Sequence, residues 1–315
     1  MPETPAMPET HPPKPAASAQ ATPSHPTRLG SQRDWIWRGW RVRYTFVRSA
    51  APTHKPPVLF VHGFGSSLAQ WQENLQPLSQ SHAVYAIDLV GFGASEKADT
   101  AYKVELWADQ VYDFWRTFIG QPIVLLGHSL GALVALTAAV AYPEMVKNLA
   151  LLTLPAARQE LLNGSLQAWM GKIESLFTTS LIIRPLFGLV RRPGIIRSIL
   201  KAVYVNPDRV TDELITTFLT PGFDRGASKA FYRLSKARTQ LDFSLKTEDL
   251  LPQVTVPILV MWGERDRVIP IARGRKLPDL NPRLKLVELP EAGHCLYDEA
   301  ADCMNAEVLA WLGEA

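Results

Sequence analysis

One pentapeptide restricts this chain more than any other feature. Gly127-His128-Ser129-Leu130-Gly131 follows directly on the apolar run Ile123-Val124-Leu125-Leu126 and runs straight into Ala132-Leu133-Val134-Ala135-Leu136-Thr137-Ala138-Ala139. A buried strand, a G-x-S-x-G turn and a helix in immediate succession hold a serine at the end of a sheet. So tight a turn needs small flanking residues. The glycines at 127 and 131 let the backbone pass and let helix and strand approach closely. Ser129 then stands at a helix start, where partial positive charge favours a developing anion. A chance G-x-S-x-G in an Ala/Leu-rich helix start is the bland alternative. The strand–turn–helix placement favours a nucleophile over it.

A serine hydroxyl attacks only when a base removes its proton, and the base needs a carboxylate to orient it. Where a serine sits on such a turn, the acid and then the histidine follow in chain order. Pro257-Ile258-Leu259-Val260-Met261-Trp262 reads as a buried strand and leads into the loop Gly263-Glu264-Arg265-Asp266-Arg267-Val268-Ile269-Pro270. Leu284-Lys285-Leu286-Val287-Glu288-Leu289 alternates as a strand and leads into Glu291-Ala292-Gly293-His294-Cys295. Asp266 and His294 are therefore expected at the same sheet edge as Ser129, where open α/β sheets collect ligands. The other carboxylates have other uses. Asp88 can cap a turn before Gly91, and Asp298 can begin the last helix. Glu264 lies two residues from Asp266. Among other histidines, His62 is placed to brace the loop after it. His128 should leave the turn in a different direction from Ser129.

The third requirement is a pair of donors for the oxyanion. Val58-Leu59-Phe60-Val61 is an apolar strand ending in His62-Gly63-Phe64-Gly65-Ser66-Ser67. The backbone amides of Phe64 and Leu130 are expected to face the oxyanion, where losing one such donor typically costs about 2.7–4 kcal/mol. Taken alone, the first of these segments could equally be a plain glycine-rich turn.

Alternating strands and helices frame these motifs. Strands are expected over 40–46, 58–61, 83–87, 123–126, 149–153, 257–262 and 284–289, and helices over 68–79, 103–119, 130–141 and 303–313. The pattern implies an α/β fold: a mostly parallel central sheet with helices on both faces and an antiparallel hairpin at the N-terminal edge. The folded part should start near Trp35. Residues 1–30, rich in Pro, Ala, Thr and Ser, bury too little apolar surface to fold and hold no signal peptide or membrane span. Residues 31–154 and 251–315 form the core. Residues 155–250 break the rhythm as a helical cap over the site. The cap's stretch Leu181-Ile182-Ile183-Arg184-Pro185-Leu186-Phe187-Gly188-Leu189-Val190-Arg191-Arg192 interleaves apolar residues with arginines. That suits a lipid surface or an amphiphilic substrate, although core-facing packing is the commoner use of such a stretch. A net charge of +3 makes no case for nucleic acid. Cys295 and Cys303 lie close together; a reducing compartment that leaves them unpaired is the simpler reading.

These motifs, with Asp88-Leu89-Val90-Gly91-Phe92-Gly93-Ala94-Ser95, together resemble the α/β-hydrolase superfamily over about residues 35–314. The resemblance implies that the loop turns Asp266, not Glu264, toward the base. Trp35-Ile36-Trp37-Arg38-Gly39, Asn206-Pro207-Asp208-Arg209-Val210-Thr211-Asp212-Glu213-Leu214 and Gly293-His294-Cys295 followed by Asp298-Glu299 are similar to the hydrolases of photosynthetic organisms that include pheophytinase and chlorophyll dephytylase. That group implies a long isoprenoid, phytyl-type ester as substrate. The chain departs from many of its members in having His128 before the serine, and Leu296-Tyr297 where a proline-containing pair is common.

The expected function is that of a serine hydrolase cleaving a carboxylic, hydrophobic ester through Ser129, Asp266 and His294, with no metal and no organic cofactor. C–C bond hydrolysis by the same three groups is the alternative enzyme. A non-catalytic receptor on the same fold is the alternative of another class. Epoxide and haloalkane hydrolysis need a carboxylate nucleophile where Ser129 stands. The expected location is the cytoplasm, with peripheral membrane contact through the cap, or the plastid in a eukaryote.

Overall fold

The computed structural model describes residues 29–161 and 187–314. β1 (Ser31–Trp37) and β2 (Trp40–Val47) form an antiparallel hairpin, and β2 pairs antiparallel with β4 (Val84–Ile87). The remaining strands, β3 (Val58–Val61), β5 (Ile123–His128), β6 (Val146–Leu152), β7 (Ile258–Gly263) and β8 (Leu284–Leu289), join in parallel. The order across the sheet is β1-β2-β4-β3-β5-β6-β7-β8. Every residue of β3, β5 and β7 is buried. Helices cover both faces there, so these strands read as unbroken apolar runs instead of alternating.

Alternation survives as a division between two cores. Leu59, Val61 and Leu125 face one core, Val58, Phe60, Val124 and Leu126 the other. Helices α1 (Leu75–Ser79), α2 (Val104–Phe118) and α3 (Leu130–Ala141) follow the early strands. On the first face, α2 buries Val104, Trp107, Ala108, Val111 and Phe114, one stripe at helical spacing. Beside it, α3 is buried from Leu130 through Ala139, so it is apolar all round. The second face is closed by Leu75 and Leu78 of α1 and by Met304, Val308 and Trp311 of the C-terminal helix Ala301–Glu314.

Two local expectations need correction. The single helix expected over 68–79 is a 3-10 turn at Leu68–Trp71 followed by the short α1. Pro77 has no N–H to give the carbonyl four residues back, so a continuous helix fails there. Asn74, at the break, turns its amide into the core, donating to the Tyr297 carbonyl at 3.1 Å and to Asn305 Oδ1 at 2.9 Å. The folded chain also begins before Trp35, with β1 starting at Ser31. The residues from Ser31 to Asp34 are exposed and polar, so no alternation marks them; an ion pair between Asp34 and Arg43 at 2.7 Å supports the edge.

Between β6 and β7 the described chain is helical. α4 (Pro193–Val203), α5 (Asp212–Leu219) and α6 (Ala227–Arg238) are its longest elements. Pro193 opens α4 at its first turn, where a missing N–H costs nothing. Within the Leu181–Arg192 stretch, positions 181–186 lie outside the described residues. Phe187 is buried and Leu189 exposed. Glu299 ties this region to the core by accepting from the amides of Gly293 (3.0 Å), Val205 (2.5 Å) and Asn206 (3.2 Å). Lys97 does the same from the other side, through Asp224 at 2.9 Å. Among the described residues no helix is long and apolar enough to cross a membrane.

Candidate active site

The turn after β5 holds Ser129 at φ 52°, ψ −115°. Such a conformation costs a non-glycine residue about 1–3 kcal/mol and persists only where neighbours enforce it. Here they do. The Ser129 amide donates to the Leu152 carbonyl at 2.9 Å, and the Ser129 carbonyl accepts from Ala132 at 2.9 Å and Leu133 at 3.2 Å. The flanking glycines are sterically required. A Cβ at Gly127 would stand 2.1 Å from the Gly131 carbonyl oxygen, and one at Gly131 would stand 2.1 Å from that of Val61.

The loops after β7 and β8 meet beside this turn. His294 Nδ1 donates to Asp266 Oδ2 at 2.8 Å, and the Asp266 side chain is fully buried. Asp266 Oδ1 accepts from the amides of Val268 (2.7 Å) and Ile269 (2.8 Å), so both carboxylate oxygens are occupied and the group is held rigidly. Glu264 is exposed. The two loops approach so closely that a Cβ at Gly263 would lie 2.3 Å from the Gly293 carbonyl oxygen.

Ser129 and His294 line one cavity of about 440 Å³, a size suited to a small organic ligand. No hydrogen bond joins the Ser129 hydroxyl to His294 among the described residues. Phe64 lines the same cavity, and Leu130 opens α3 beside Ser129. Neither backbone amide is engaged by a protein acceptor among the described residues. The walls are chiefly apolar, with Phe92, Phe187, Phe218, Leu219 and Phe231 prominent.

His128 has a specific job. Its Nε2 donates to the backbone carbonyl of His294 at 2.9 Å, pinning the loop that carries His294 to the serine turn. His62 donates from Nδ1 to the Gly63 carbonyl at 2.8 Å and accepts at Nε2 from the Leu89 amide at 3.1 Å. Asp88 holds two segments near the site, accepting from Leu68 N at 2.6 Å and Ala94 N at 2.7 Å. Asp298 does not begin the last helix. It lies in the turn before it and accepts from the Tyr204 hydroxyl at 2.9 Å. Burial raises the Asp298 carboxyl above its ordinary value. Among the described residues, Asp266 and neither Asp88 nor Asp298 is the carboxylate hydrogen-bonded to His294. Cys295 and Cys303 are free, and burial pushes the Cys295 thiol up to about 12.

Gln70, Lys97, Arg191 and Arg238 also line the cavity. Sequence reasoning did not assign them to the site. Gln70 lay inside an expected helix, yet its Oε1 accepts from the Gly63 amide at 3.1 Å and so supports the loop carrying Phe64. The only sequence signal for Arg191 was the apolar–basic interleaving before α4, and Arg238, at the end of α6, had none.

The buried groups set a pH dependence for folding. Desolvation pulls His62 down to about 4 and His128 well below its ordinary value. In the unfolded chain both protonate near pH 6.5. The unfolded state thus binds more protons below that pH, and stability falls as pH drops. Asp88 acts oppositely. Burial pushes its carboxyl up to about 6 from 3.8, so between those values the folded state holds the extra proton. The net is one proton in favour of unfolding. Stability from these three groups is expected to fall by about 1.4 kcal/mol per pH unit between roughly pH 6 and 4. Urea midpoints at pH 7.5, 6, 5 and 4 for the wild type and His62→Gln measure the imidazole contribution; a wild type that loses no more stability than the variant as pH falls would contradict a neutral, buried His62.

Comparison with known proteins accords with this architecture. The family model described as alpha/beta hydrolase family matches residues 58–306. The dihydrolipoyllysine-residue acetyltransferase component of the acetoin cleaving system of Pseudomonas putida is 29% identical over 257 residues, 81% of this chain and 63% of that one. The chloroplastic pheophytinase of Arabidopsis thaliana is 26% identical over 299 residues, 82% of this chain and 61% of that one. The chain thus spans less than two thirds of each of these relatives. The solved structure of a meta-cleavage product hydrolase from Pseudomonas fluorescens shares the fold, with a TM-score of 0.74 at 21% identity over 91% of this chain and 98% of that one. With its sheet order, its serine turn and a family match over most of its length, the chain belongs to the alpha/beta hydrolase family.

Proposed function

We propose that the chain hydrolyses a hydrophobic carboxylic ester through an acyl-enzyme on Ser129. The observation that carries this reading is the Asp266–His294 hydrogen bond of 2.8 Å at a cavity that Ser129 also lines. Asp266 is an acceptor, so the proton sits on His294 Nδ1 and leaves Nε2 free to take one from Ser129. The hydroxyl oxygen attacks the ester carbonyl, and the amides of Phe64 and Leu130 receive the oxyanion. Protonated His294, steadied by Asp266, hands its proton to the departing alcohol. Water deprotonated by the same histidine then attacks the acyl-serine, and the acid leaves. The apolar walls and the pheophytinase relative both favour a long, phytyl-type chain over a short one.

A hydrolysis panel tests this: p-nitrophenyl acetate through palmitate, triglyceride, chlorophyll, pheophytin and a dienol-type ketone. Esters should be cleaved; turnover of the ketone alone would replace the ester reading with C–C hydrolysis. Phe187 is buried in the cavity wall, and burying such a ring is worth about 1.5–3 kcal/mol. Phe187→Gln should therefore lower kcat/KM on palmitate at least tenfold and on acetate less than threefold. Equal losses on both esters would make Phe187 a general structural residue.

A further inference from the structure

We infer that the ester taken by this site also carries a carboxylate, which Arg191 holds inside the cavity. This rests on the ester reading above and adds the charge of the substrate to it. Three cations, Lys97, Arg191 and Arg238, line the chiefly apolar cavity, and no aspartate or glutamate does so among the described residues. Their situations differ. The Lys97 ammonium is already saturated, donating to the carbonyls of Gly93 (2.6 Å) and Ser95 (2.9 Å) and to Asp224 (2.9 Å). It fastens the cap and has nothing left for a ligand. Arg238 lies over the Phe64 ring at 4.3 Å.

Arg191 is different. Its guanidinium is held by two aromatic faces, Phe187 at 5.0 Å and Phe223 at 5.1 Å. Its Nε is buried without a hydrogen-bond partner, and Nη1 makes only a 3.4 Å contact with the Gly222 carbonyl. Among the described residues no carboxylate pairs with it. Stacking fixes the plane of a guanidinium and leaves its edge, a fork of N–H donors that matches a carboxylate. A buried donor with no acceptor is destabilising, and a ligand that supplies one relieves that cost. One guanidinium balances one negative charge, which favours a carboxylate over a phosphate dianion. The cavity thus fits an ester with an apolar body, a carbonyl at Ser129 and an acid group at Arg191.

The test compares two esters of equal chain length on the full-length chain: p-nitrophenyl octanoate, neutral at its far end, and mono-p-nitrophenyl suberate, which ends in a carboxylate. The wild type should hydrolyse the suberate ester at least as efficiently as the octanoate. Arg191→Met should lower kcat/KM on suberate by about 10- to 150-fold, the scale of a hydrogen bond to a charged group, and change octanoate less than threefold. Arg191→Lys keeps the charge and should recover at least a third of the suberate activity. A wild type that prefers octanoate tenfold, equal losses on both esters in Arg191→Met, or a lysine variant no better than the methionine overturns the assignment. Failure of the wild type on both esters instead removes the ester reading itself.

Discussion

Alanine in place of Ser129 is expected to lower ester turnover by about 10⁶-fold, the scale found when a serine hydrolase loses its nucleophile. The fold should survive. The bonds that hold the turn run through the Ser129 backbone, to Leu152, Ala132 and Leu133, and the side chain adds no hydrogen bond to them. Alanine also faces no greater strain at φ 52° than serine does. Steady-state hydrolysis of p-nitrophenyl butyrate gives the rate and a thermal melt gives the stability. A variant within a few-fold of wild-type activity would take Ser129 out of the chemistry. A variant that is inactive and unfolded would make the turn, not the hydroxyl, the thing removed.

The second large effect comes from Asp266→Asn. Asp266 Oδ1 accepts two amides, from Val268 and Ile269, and Oδ2 accepts from His294. An asparagine must keep its carbonyl oxygen on the side with two donors, which turns its NH₂ toward His294. That NH₂ can only donate, so His294 Nδ1 must become the acceptor and the ring proton moves to Nε2. A base already protonated at Nε2 cannot accept the Ser129 proton. The expected loss in kcat is about 10⁴-fold, as when the carboxylate of a serine-protease triad becomes an amide. KM should change little, because Asp266 is not among the cavity-lining residues. A loss below tenfold would mean that Asp266 does not set the tautomer of His294.

Some of this architecture is written locally and some is not. β3 and β8 coincide with the runs 58–61 and 284–289, and α3 with 130–141, because each combines an unambiguous apolar pattern with nearby turn residues. The helix over 68–79 failed because Pro77 outweighs the apolar spacing of Leu68, Trp71, Leu75 and Leu78, all of them buried. The order Ser129, Asp266, His294 is a property of the string. The bond between the last two is made by the sheet, which sets the ends of β7 and β8 side by side. Contacts across long separations left no local trace. His128 reaches the His294 carbonyl 166 residues away, and Lys97 reaches Asp224 127 residues away. Arg191 looked like one arginine in an apolar stretch. Only the fold sets it against Phe187 and Phe223 and leaves its Nε without a partner among the described residues.

The proposed chemistry depends on the hydroxyl at 129 being a nucleophile activated by His294. Fluorophosphonates react far faster with an activated serine than with an ordinary hydroxyl, so peptide mapping after labelling of the wild type and His294→Ala reads that activation. A single phosphonyl adduct is expected on Ser129 in the wild type, forming at least a hundredfold more slowly in the variant. An adduct on another residue, or a Ser129 that stays unlabelled while ester hydrolysis proceeds, would contradict it.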